Sequence, residues 1–306
     1  MDKKIENICV IVVTFYPDLD TLKCQLLSLT SQVDQIVIVD NGSDFDVERW
    51  SVELCLSNVA VLPLDGNYGI AKAHNLGIAH ARDHGATYVL LMDQDSIPAD
   101  DMVGQLMEVA SANKNVAAVG PRYFDDRQCN PPPFITVKGF KLERYLCKDG
   151  QRFVYTDYLI SSGCLIPMAT IGVVGGMRED FFIDYVDIEW GLRAKAHGFQ
   201  SFGACGAYMH HSLGDAPQQF FGKQIPVHSP LRHYYHVRNA ILLYKEGWVP
   251  WNWKVVDGWR LLLKFGYYSL MTKPRMRHCF MMIKGMWHGV RGKSGMINLV
   301  SGRTST

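Results

Sequence analysis

Short apolar runs that alternate with helical segments constrain the fold of this chain more than any other feature. Four runs rich in Val, Ile or Leu predict strands: Cys9–Thr14, Gln35–Asp40, Val59–Pro63 and Thr87–Met92. Uninterrupted runs of this kind are typical of strands buried on both faces of a sheet. Helical segments are predicted around Leu22–Ser31 and at Ile70–His84. The alternation predicts an α/β fold in which helices flank a mostly parallel sheet.

The second half of the chain is less regular. Residues 121–153 include three consecutive prolines, which predicts a loop-rich insertion with a short hairpin. A strand with a turn is predicted at Tyr158–Pro167, and a helix is predicted at Ile188–His197.

Composition excludes several classes of protein. A hydrophobic content of 48% with 20% charged residues is typical of a folded chain and excludes wholesale disorder. The N-terminus leads into the first strand without a signal-peptide pattern, and no run of about 18 apolar residues predicts a membrane-spanning helix. The eight cysteines are scattered without a Cys-x-x-Cys pair. Their spacing disfavours a zinc ribbon and predicts reduced thiols in the cytosol.

The charge is divided unevenly along the chain. Residues 231–306 contain 13 Lys and Arg against 2 Asp and Glu, a net charge of +11, whereas residues 1–230 carry −10. Four basic residues fall on one face of a helix predicted in this tail: Arg277, Lys284, His288 and Arg291. Five apolar residues fall on another face: Cys279, Met282, Ile283, Met286 and Val290. A basic amphipathic helix near several tryptophans favours binding to a membrane surface, although the apolar face could instead pack against the rest of the protein. The apolar content disfavours nucleic acid as the partner.

Two carboxylates follow the fourth predicted strand directly, at Asp93 and Asp95. Ligands bind beyond the carboxyl ends of parallel strands, and Mg²⁺ or Mn²⁺ prefers oxygen ligands. The pair therefore indicates a cation or ribose site, although Asp-x-Asp also occurs in solvated turns. His210 and His211 could add a nitrogen ligand.

Three further carboxylates lie among large apolar residues in the segment 181–190: Asp184, Asp187 and Glu189. Burial raises the pKa of a carboxyl group, which makes this cluster a candidate for general-base catalysis. The alternative is that Asp187 caps the helix that follows.

Small and amide side chains at Asn67–Ala71 and Asn75–Gly77 precede and open a predicted helix, where a phosphate or ribose could approach closely. They do not form the Gly-x-Gly-x-x-Gly pattern, which disfavours a dehydrogenase.

The ordered set of these motifs resembles glycosyltransferase family 2, the inverting enzymes with the GT-A fold. The motifs that carry the resemblance are VVTFYPD at Val12–Asp18, VDNGS at Val39–Ser43, NYGIAKAHNLG at Asn67–Gly77, LLMDQDS at Leu90–Ser96, FFIDYVDIEWGLRAKAHGF at Phe181–Phe199, and the histidine near HHSLG. The resemblance spans about residues 8–245. The LMDQDS form, together with RHYYHVRNAILL at Arg232–Leu243, is most similar to rhamnosyltransferases of bacterial surface-polysaccharide (O-antigen) assembly.

The resemblance implies a role for each matching residue. The nucleotide-sugar would contact seven residues: Thr14, Tyr16, Asp40, Asn67, Gly69, Lys72 and Asp93. Asp95 and His211 would bind Mg²⁺ or Mn²⁺, and Asp187 would be the catalytic base. Val186 and Glu189 depart from the family's Glu-Asp-x-Asp pattern, which leaves Asp184 as an alternative base. Five residues would face the acceptor: Asp184, Glu189, Arg232, Tyr235 and Arg238.

The resemblance also implies a domain plan and partners. Residues 1–230 would form the GT-A catalytic domain, with nucleotide-sugar binding in 1–120 and the acceptor and base region in 121–230. Residues 231–306 would form a helical, membrane-associating region. The expected donor is dTDP-rhamnose and the expected acceptor a lipid-linked saccharide, at the cytoplasmic, inner face of the plasma membrane. The alternatives are a galactofuranosyl- or N-acetylhexosaminyl-transferase that uses a UDP-sugar, and a catalytically silent module that binds sugar nucleotides.

Overall fold

A computed structural model describes residues 6–124, 131–211, 218–220, 223–225 and 228–297. Part of the predicted insertion, including Cys129, and residues 298–306 of the predicted tail lie outside this range.

The described residues form thirteen strands and nine α-helices. The strands are β1 Ile8–Thr14, β2 Gln35–Asp40, β3 Val59–Pro63, β4 Tyr88–Asp93, β5 Ser96–Pro98, β6 Val116–Phe124, β7 Phe134–Lys138, β8 Lys141–Tyr145, β9 Phe153–Thr156, β10 Cys164–Pro167, β11 Gln200–His211, β12 Gln218–Phe220 and β13 Lys223–Ile225. The helices are α1 Leu19–Thr30, α2 Val47–Glu53, α3 Ile70–Asp83, α4 Met102–Ala112, α5 Met168–Val174, α6 Val186–Ala196, α7 Pro230–Tyr244, α8 Trp251–Met271 and α9 Arg275–Val290.

One nine-stranded sheet organises the chain, in the order β3-β2-β1-β4-β10-β6-β11-β5, with β9 paired to β11. Strands β1 to β4 are parallel, and β10 runs antiparallel between β4 and β6. Every residue of β1 is buried. Its side chains alternate between two apolar clusters, one with α1 and α4 and the other with α3 and α6. The predicted α/β fold with helices on both faces is therefore confirmed.

The register of the central strands brings the polar motifs to one edge of the sheet. Thr14 at the end of β1 pairs with Asp40 at the end of β2, and Val13 pairs with Asp93 at the end of β4. Because parallel strands all end at the same edge, three motifs separated in sequence become neighbours.

Some predicted elements differ from the structure. Only Cys164–Pro167 of the predicted strand Tyr158–Pro167 is a strand, because the chain turns at Gly163 with a φ of +77°. The short hairpin predicted in the insertion is present as β7 and β8. The prediction missed α2, α4, β6 and β11; Gly and Pro inside β6 and several small residues in β11 weaken their strand patterns.

The cysteines also differ from the prediction. Cys147 and Cys205 are joined in a disulfide, so the expectation that all eight cysteines are free thiols is wrong for this pair. The two residues are 58 positions apart in the chain, and only the fold brings their Cα atoms to 5.5 Å.

Helix α9 packs on α7 through two glycines. A Cβ atom on Gly285 would lie 2.5 Å from the Tyr234 carbonyl oxygen, and one on Gly289 would lie 2.9 Å from the Arg238 carbonyl oxygen. The buried face of α9 consists of His278, Met282, Gly285 and Gly289. The alternative in which the predicted apolar face packs against the rest of the protein is therefore wrong for most of that face: Met282 is buried, but Ile283, Met286 and Val290 are exposed. Among the described residues, no helix combines the length and apolar character needed to cross a bilayer.

The loop that precedes α6 has a strained backbone that α7 holds in place. Phe182, Asp184 and Tyr185 all have φ near +65°, a region that costs non-glycine residues energy unless the surroundings impose it. Asn239, fully buried on α7, directs its side-chain NH₂ at the carbonyl oxygens of Phe181, Ile183 and Asp184, at 2.8–2.9 Å. The Arg238 guanidinium donates to the Phe181 carbonyl at 3.0 Å and to the Asn239 side-chain oxygen at 2.9 Å. We call residues 181–185 the base loop, because they lead to Asp187, the base that the family resemblance implies.

Asn239→Ala should therefore loosen the base loop. Buried carbonyls that lose their donor are costly, so we expect the free energy of unfolding to fall by about 2–4 kcal/mol. Urea denaturation measures the loss, and faster amide hydrogen exchange at residues 181–185 would locate it. Asn252→Ala is a matched control, because the Asn252 amide donates a single bond to the Gly139 carbonyl at 2.7 Å near the surface. Equal losses in the two variants would contradict this role of Asn239.

Candidate active site

A cavity of about 560 Å³ opens at the carboxyl edge of the sheet. The residues that line it and matter here are Thr14, Asn67, Gly69, His74, Asp93, Asp184, Asp187, His211, Arg232 and His236. Eight of the residues predicted from the sequence thus line one cavity: Thr14, Asn67, Gly69, Asp93, Asp184, Asp187, His211 and Arg232.

Asp40 supports one end of the cavity from behind. Its carboxylate accepts hydrogen bonds from the Thr14 hydroxyl at 2.9 Å, the Ser43 hydroxyl at 2.7 Å and the Ser43 amide at 3.1 Å. Asp40 is 4% exposed and does not itself line the cavity. It holds Thr14 and the turn after β2 in place.

Tyr16 and Lys72 lie beside the cavity and do not line it. The Tyr16 hydroxyl donates to Asp44 at 2.8 Å, and its side chain is exposed. The Lys72 ammonium lies over the Tyr68 ring, 4.8 Å from the centroid, in a neighbouring cleft.

Gly69 joins the two halves of the site. Its φ is +86°, and a Cβ atom would lie 2.5 Å from the Phe182 carbonyl oxygen, so only glycine fits. The Asn67 side-chain oxygen accepts from the Gly69 amide at 2.9 Å, and the Ile70 amide donates to the Phe182 carbonyl at 2.8 Å. The start of α3 therefore contacts the base loop directly.

Asp93, Asp95 and His211 form a possible cation site. Their ligand atoms lie within 4.8 Å of one another, and the His211 Nδ1 atom is 3.3 Å from an Asp95 carboxylate oxygen. Asp95 is exposed and His211 is buried. Burial raises the pKa of Asp93, with repulsion from Asp95 as a smaller cause. Two carboxylates and an imidazole fit Mg²⁺ or Mn²⁺, which would complete its coordination with waters and substrate phosphates.

The sequence analysis missed four side chains that hold this cluster in position: Gln25, Gln94, Ser96 and Ser162. The Gln25 amide donates to the carbonyl oxygens of Asp93, at 2.7 Å, and Ser96, at 2.5 Å. The Ser96 hydroxyl lies 2.7 Å from His211 Nδ1 and 2.6 Å from the Ser162 hydroxyl. Gln94 makes two hydrogen bonds with the backbone of Phe15, at 2.7 and 3.2 Å. A signal for Gln25 was available, because it is a polar residue within the buried stripe Leu22–Leu29 of α1.

Asp187 lies in the first turn of α6, at the base of the cavity. Tyr185 is the residue that precedes the helix, so the alternative in which Asp187 caps it is wrong. Burial raises the pKa of Asp187 to about 6, and repulsion from Asp184 and Asp93 acts in the same direction. The Ile188 amide donates to this carboxylate at 2.8 Å and opposes the rise.

Asp184 differs from Asp187 in its partners. The Arg232 guanidinium donates to both Asp184 carboxylate oxygens, at 2.9 and 3.4 Å. Among the described residues, Asp187 accepts from backbone amides alone. Its raised pKa and the lack of a paired Lys or Arg among the described residues make Asp187 a suitable proton acceptor.

Three residues predicted to face the acceptor do not line the cavity within the described part of the chain: Glu189, Tyr235 and Arg238. Glu189 is buried in a two-bond ion pair with Arg193 at 2.8 and 2.9 Å. Tyr235 stacks on Phe182 with ring centroids 5.1 Å apart. Arg238 holds the base loop, as described above. Their positions assign them to the framework of the site.

His74 is a further cavity residue that the sequence analysis missed. It is 1% exposed, and neither ring nitrogen has a hydrogen-bond partner among the described residues. Burial lowers its pKa to about 4, so the imidazole is neutral at pH 7. It can offer a ligand one donor and one acceptor. Its position within NYGIAKAHNLG was the available signal.

Comparison with known proteins agrees with this geometry. The model of the family described as Glycosyl transferase family 2 matches residues 9–168, just over half of the chain. The chain is 34% identical over 245 residues to dTDP-rhamnosyl transferase RfbF of Shigella flexneri, a match that covers 80% of this chain and 82% of that protein. It is 25% identical over 292 residues to galactofuranosyltransferase GlfT1 of Mycolicibacterium smegmatis, covering 88% and 91%.

Solved structures give the same fold. The crystal structure of GalNAc-T7 with UDP, GalNAc and Mn²⁺ superposes with a TM-score of 0.62 at 11% identity, over 95% of this chain and 57% of that chain. At this identity the likeness shows the fold alone. The family match, the identity to RfbF and the common fold together establish that the chain belongs to glycosyltransferase family 2 and has the GT-A architecture.

Proposed function

We propose that this family 2 glycosyltransferase is an inverting, metal-dependent rhamnosyltransferase that moves L-rhamnose from dTDP-rhamnose to a lipid-linked saccharide in cell-surface polysaccharide synthesis. The observation that carries the proposal is a single cavity that faces both a possible cation site and a carboxylate with a raised pKa. The identity to a dTDP-rhamnosyl transferase supports the choice of sugar and nucleotide.

The similarity to a galactofuranosyltransferase favours a second candidate, a transferase that uses a UDP-sugar. A catalytically silent module is disfavoured, because a silent module would not need Asp187 beside the Asp93, Asp95 and His211 cluster.

The residues around the cavity suggest a division of work. Thr14, Asn67 and Gly69, with Asp40 behind them, would bind the nucleotide, and Asp93 would face its ribose. Asp95 and His211 would hold Mg²⁺ or Mn²⁺, which when bound would neutralise charge on the departing diphosphate. Gln25 and Ser96 would keep these two ligands in place through the contacts described above.

Asp187 would act on the acceptor. Its carboxylate takes the proton of the attacking hydroxyl, whose oxygen bonds to the anomeric carbon as the bond to the nucleoside diphosphate breaks. A single in-line displacement of this kind inverts the anomeric centre. A base with a pKa near the working pH is largely deprotonated and still accepts a proton readily. Arg232 would hold the Asp184 carboxylate in place beside it.

We further propose that residues 1–230 form the catalytic domain and 231–306 the region that associates with the membrane. The support is a row of exposed apolar side chains along α8 and α9. They are Trp251, Val255, Trp259, Leu262, Leu263, Leu270 and Met271 on α8, and Met276, Phe280, Ile283, Met286, Trp287 and Val290 on α9. Arg277 and Arg291 are exposed near them, and the Arg291 guanidinium lies over the Trp287 ring at 4.0 Å. Apolar residues bordered by basic ones are typical of proteins that lie on anionic membranes. The enzyme would thus work peripherally at the cytoplasmic, inner face of the plasma membrane.

Donor identity and metal dependence can be tested together. Because a ligand that binds only the folded state stabilises it, dTDP-rhamnose with Mn²⁺ should raise the melting temperature of the wild-type protein. The shift should shrink in EDTA and in Asp95→Ala, and rhamnose transfer should stop in both. A larger shift with UDP-galactofuranose or a UDP-N-acetylhexosamine would favour the second candidate. Full transfer in excess EDTA would contradict the metal site.

The base can be separated from its neighbour by two nearly isosteric substitutions. Asp187→Asn removes the proton acceptor, so kcat should fall by about 100-fold or more while donor binding is kept. Asp184→Asn should be much milder. In the wild type, kcat/KM should fall as the pH drops below the pKa of Asp187, because Asp187 must be deprotonated to act. That pKa should be about 6 or lower, since a cation bound beside Asp93 would lower the pKa of Asp187.

Stability gives an independent readout for Asp187. A raised carboxyl pKa means that ionisation destabilises the fold at pH values above the normal pKa. Asp187→Asn should therefore raise the melting temperature of the metal-free protein at pH 8, and the gain should disappear towards pH 4. An inactive Asp184→Asn beside a nearly normal Asp187→Asn would move the base to Asp184. Loss of donor binding in both variants would instead indicate that Asp184 and Asp187 organise the cation site.

The membrane face can be tested with vesicles that contain anionic lipid. Replacing Arg277, Lys284 and Arg291 with Gln should release the protein at low salt, because each charge contributes about 1 kcal/mol of attraction. Replacing the exposed Phe280, Ile283 and Trp287 with Ser should release it at any salt concentration. Val52→Ser and Val173→Ser are controls, since both side chains are exposed far along the chain from these helices. Unchanged co-sedimentation of both triple variants would contradict the membrane face.

A further inference from the structure

Two cations lie on one flank of α8, next to exposed apolar residues of that helix. Arg260 and Lys264 are one helical turn apart, and both are partly buried. Trp259, Leu262 and Leu263, next to them in sequence, are exposed. Residues spaced by four lie on the same face of a helix, so the two cations share one flank of α8.

Lys264 connects this flank to the cavity. Its ammonium lies 3.1 Å from the Nε2 atom of His236, and His236 lines the cavity together with Asp187. An ammonium group has no lone pair, so it donates and His236 accepts, which requires a neutral imidazole. The His236 ring packs edge-on against Tyr185 of the base loop, with centroids 4.9 Å apart.

The two carboxylates whose charges act on Lys264 are bound to other partners. Asp184 is held by Arg232. Asp257 accepts from the hydroxyl groups of Tyr185 and Tyr244, both at 2.7 Å. Within the described residues, no carboxylate lies within 4 Å of the Lys264 ammonium, and burial together with the charge of Arg260 lowers its pKa. The charges of Asp257 and Asp184 act on Lys264 from a greater distance and oppose this fall. A partly buried cation without a direct counter-ion is costly, and a bound anion would relieve that cost.

We propose that Lys264, Arg260 and His236 form a binding site for a phosphate group of the acceptor, where the saccharide is linked to its lipid through a diphosphate. The proposal rests on the proposed function. The saccharide then extends into the cavity towards Asp187, and the lipid chain leaves along the exposed apolar side of α8. The donor diphosphate belongs to the Asp93, Asp95 and His211 cluster, on β4 and β11.

The site can be measured without turnover. Farnesyl diphosphate, in EDTA so that no cation supports the donor site, should bind the wild-type protein, and its Kd should rise at least tenfold in Lys264→Gln and in Arg260→Gln. Lys273→Gln is the matched control: it removes one exposed positive charge just beyond α8 and should leave the Kd unchanged. Inorganic diphosphate serves as a second probe. If it binds more weakly than farnesyl diphosphate but depends on Lys264 in the same way, the phosphate group that the site recognises is that of a lipid diphosphate.

Turnover then separates this site from the function itself. In Lys264→Gln, KM for a diphosphate-linked lipid saccharide should rise about tenfold, while KM for the donor and for a simple alkyl glycoside acceptor stays unchanged. Farnesyl diphosphate binding that is equal in wild type and Lys264→Gln would overturn the phosphate site even if transfer occurs. Binding that depends on Lys264, without transfer from any nucleotide-sugar, would overturn the proposed function and leave the phosphate site standing.

Discussion

The base loop and its attachment to α7 are the constraint on which the rest of the site depends. Three non-glycine residues with positive φ cannot hold that conformation alone, and Asn239 and Arg238 hold it by donating to the loop's carbonyl groups. The same loop contacts Gly69 and Ile70 at the start of α3. One strained segment therefore links Asp187, the start of α3 and the C-terminal helices. Helix α7, which the sequence assigned to the membrane-associating tail, thus also holds the loop that leads to Asp187.

A second set of buried polar contacts does the same for the possible cation site. Gln25 fixes the backbone on both sides of Asp95, and Ser96 fixes the ring of His211. Buried polar groups are costly unless their partners are in place, so these contacts restrict where the backbone of the Asp93–Ser96 segment and the His211 ring can lie.

The fold shows where the basic residues of the C-terminal part of the chain lie. The basic surplus of residues 231–306 is divided between exposed groups such as Arg277 and Arg291 and partly buried groups such as Arg232 and Lys264 beside the cavity. Net charge alone favoured attraction to an anionic surface. The structure adds a contact between Lys264 of α8 and His236 of the cavity, next to exposed apolar residues of the same helix.

The sequence by itself determined the α/β class, the strands β1 to β4 and the family, because periodicity and motif order are properties of short segments. It also identified Asp93, Asp184, Asp187, His211 and Arg232, which the structure places around one cavity, and Asp95, which lies beside Asp93 and His211. Only the tertiary structure separated Glu189, Tyr235 and Arg238 from that cavity, paired Cys147 with Cys205, and assigned partners to Gln25, Ser96 and Asn239. These features depend on contacts between residues tens of positions apart. Local sequence patterns do not encode which distant carbonyl, carboxylate or thiol a side chain will contact, because the packing of the whole chain determines those contacts.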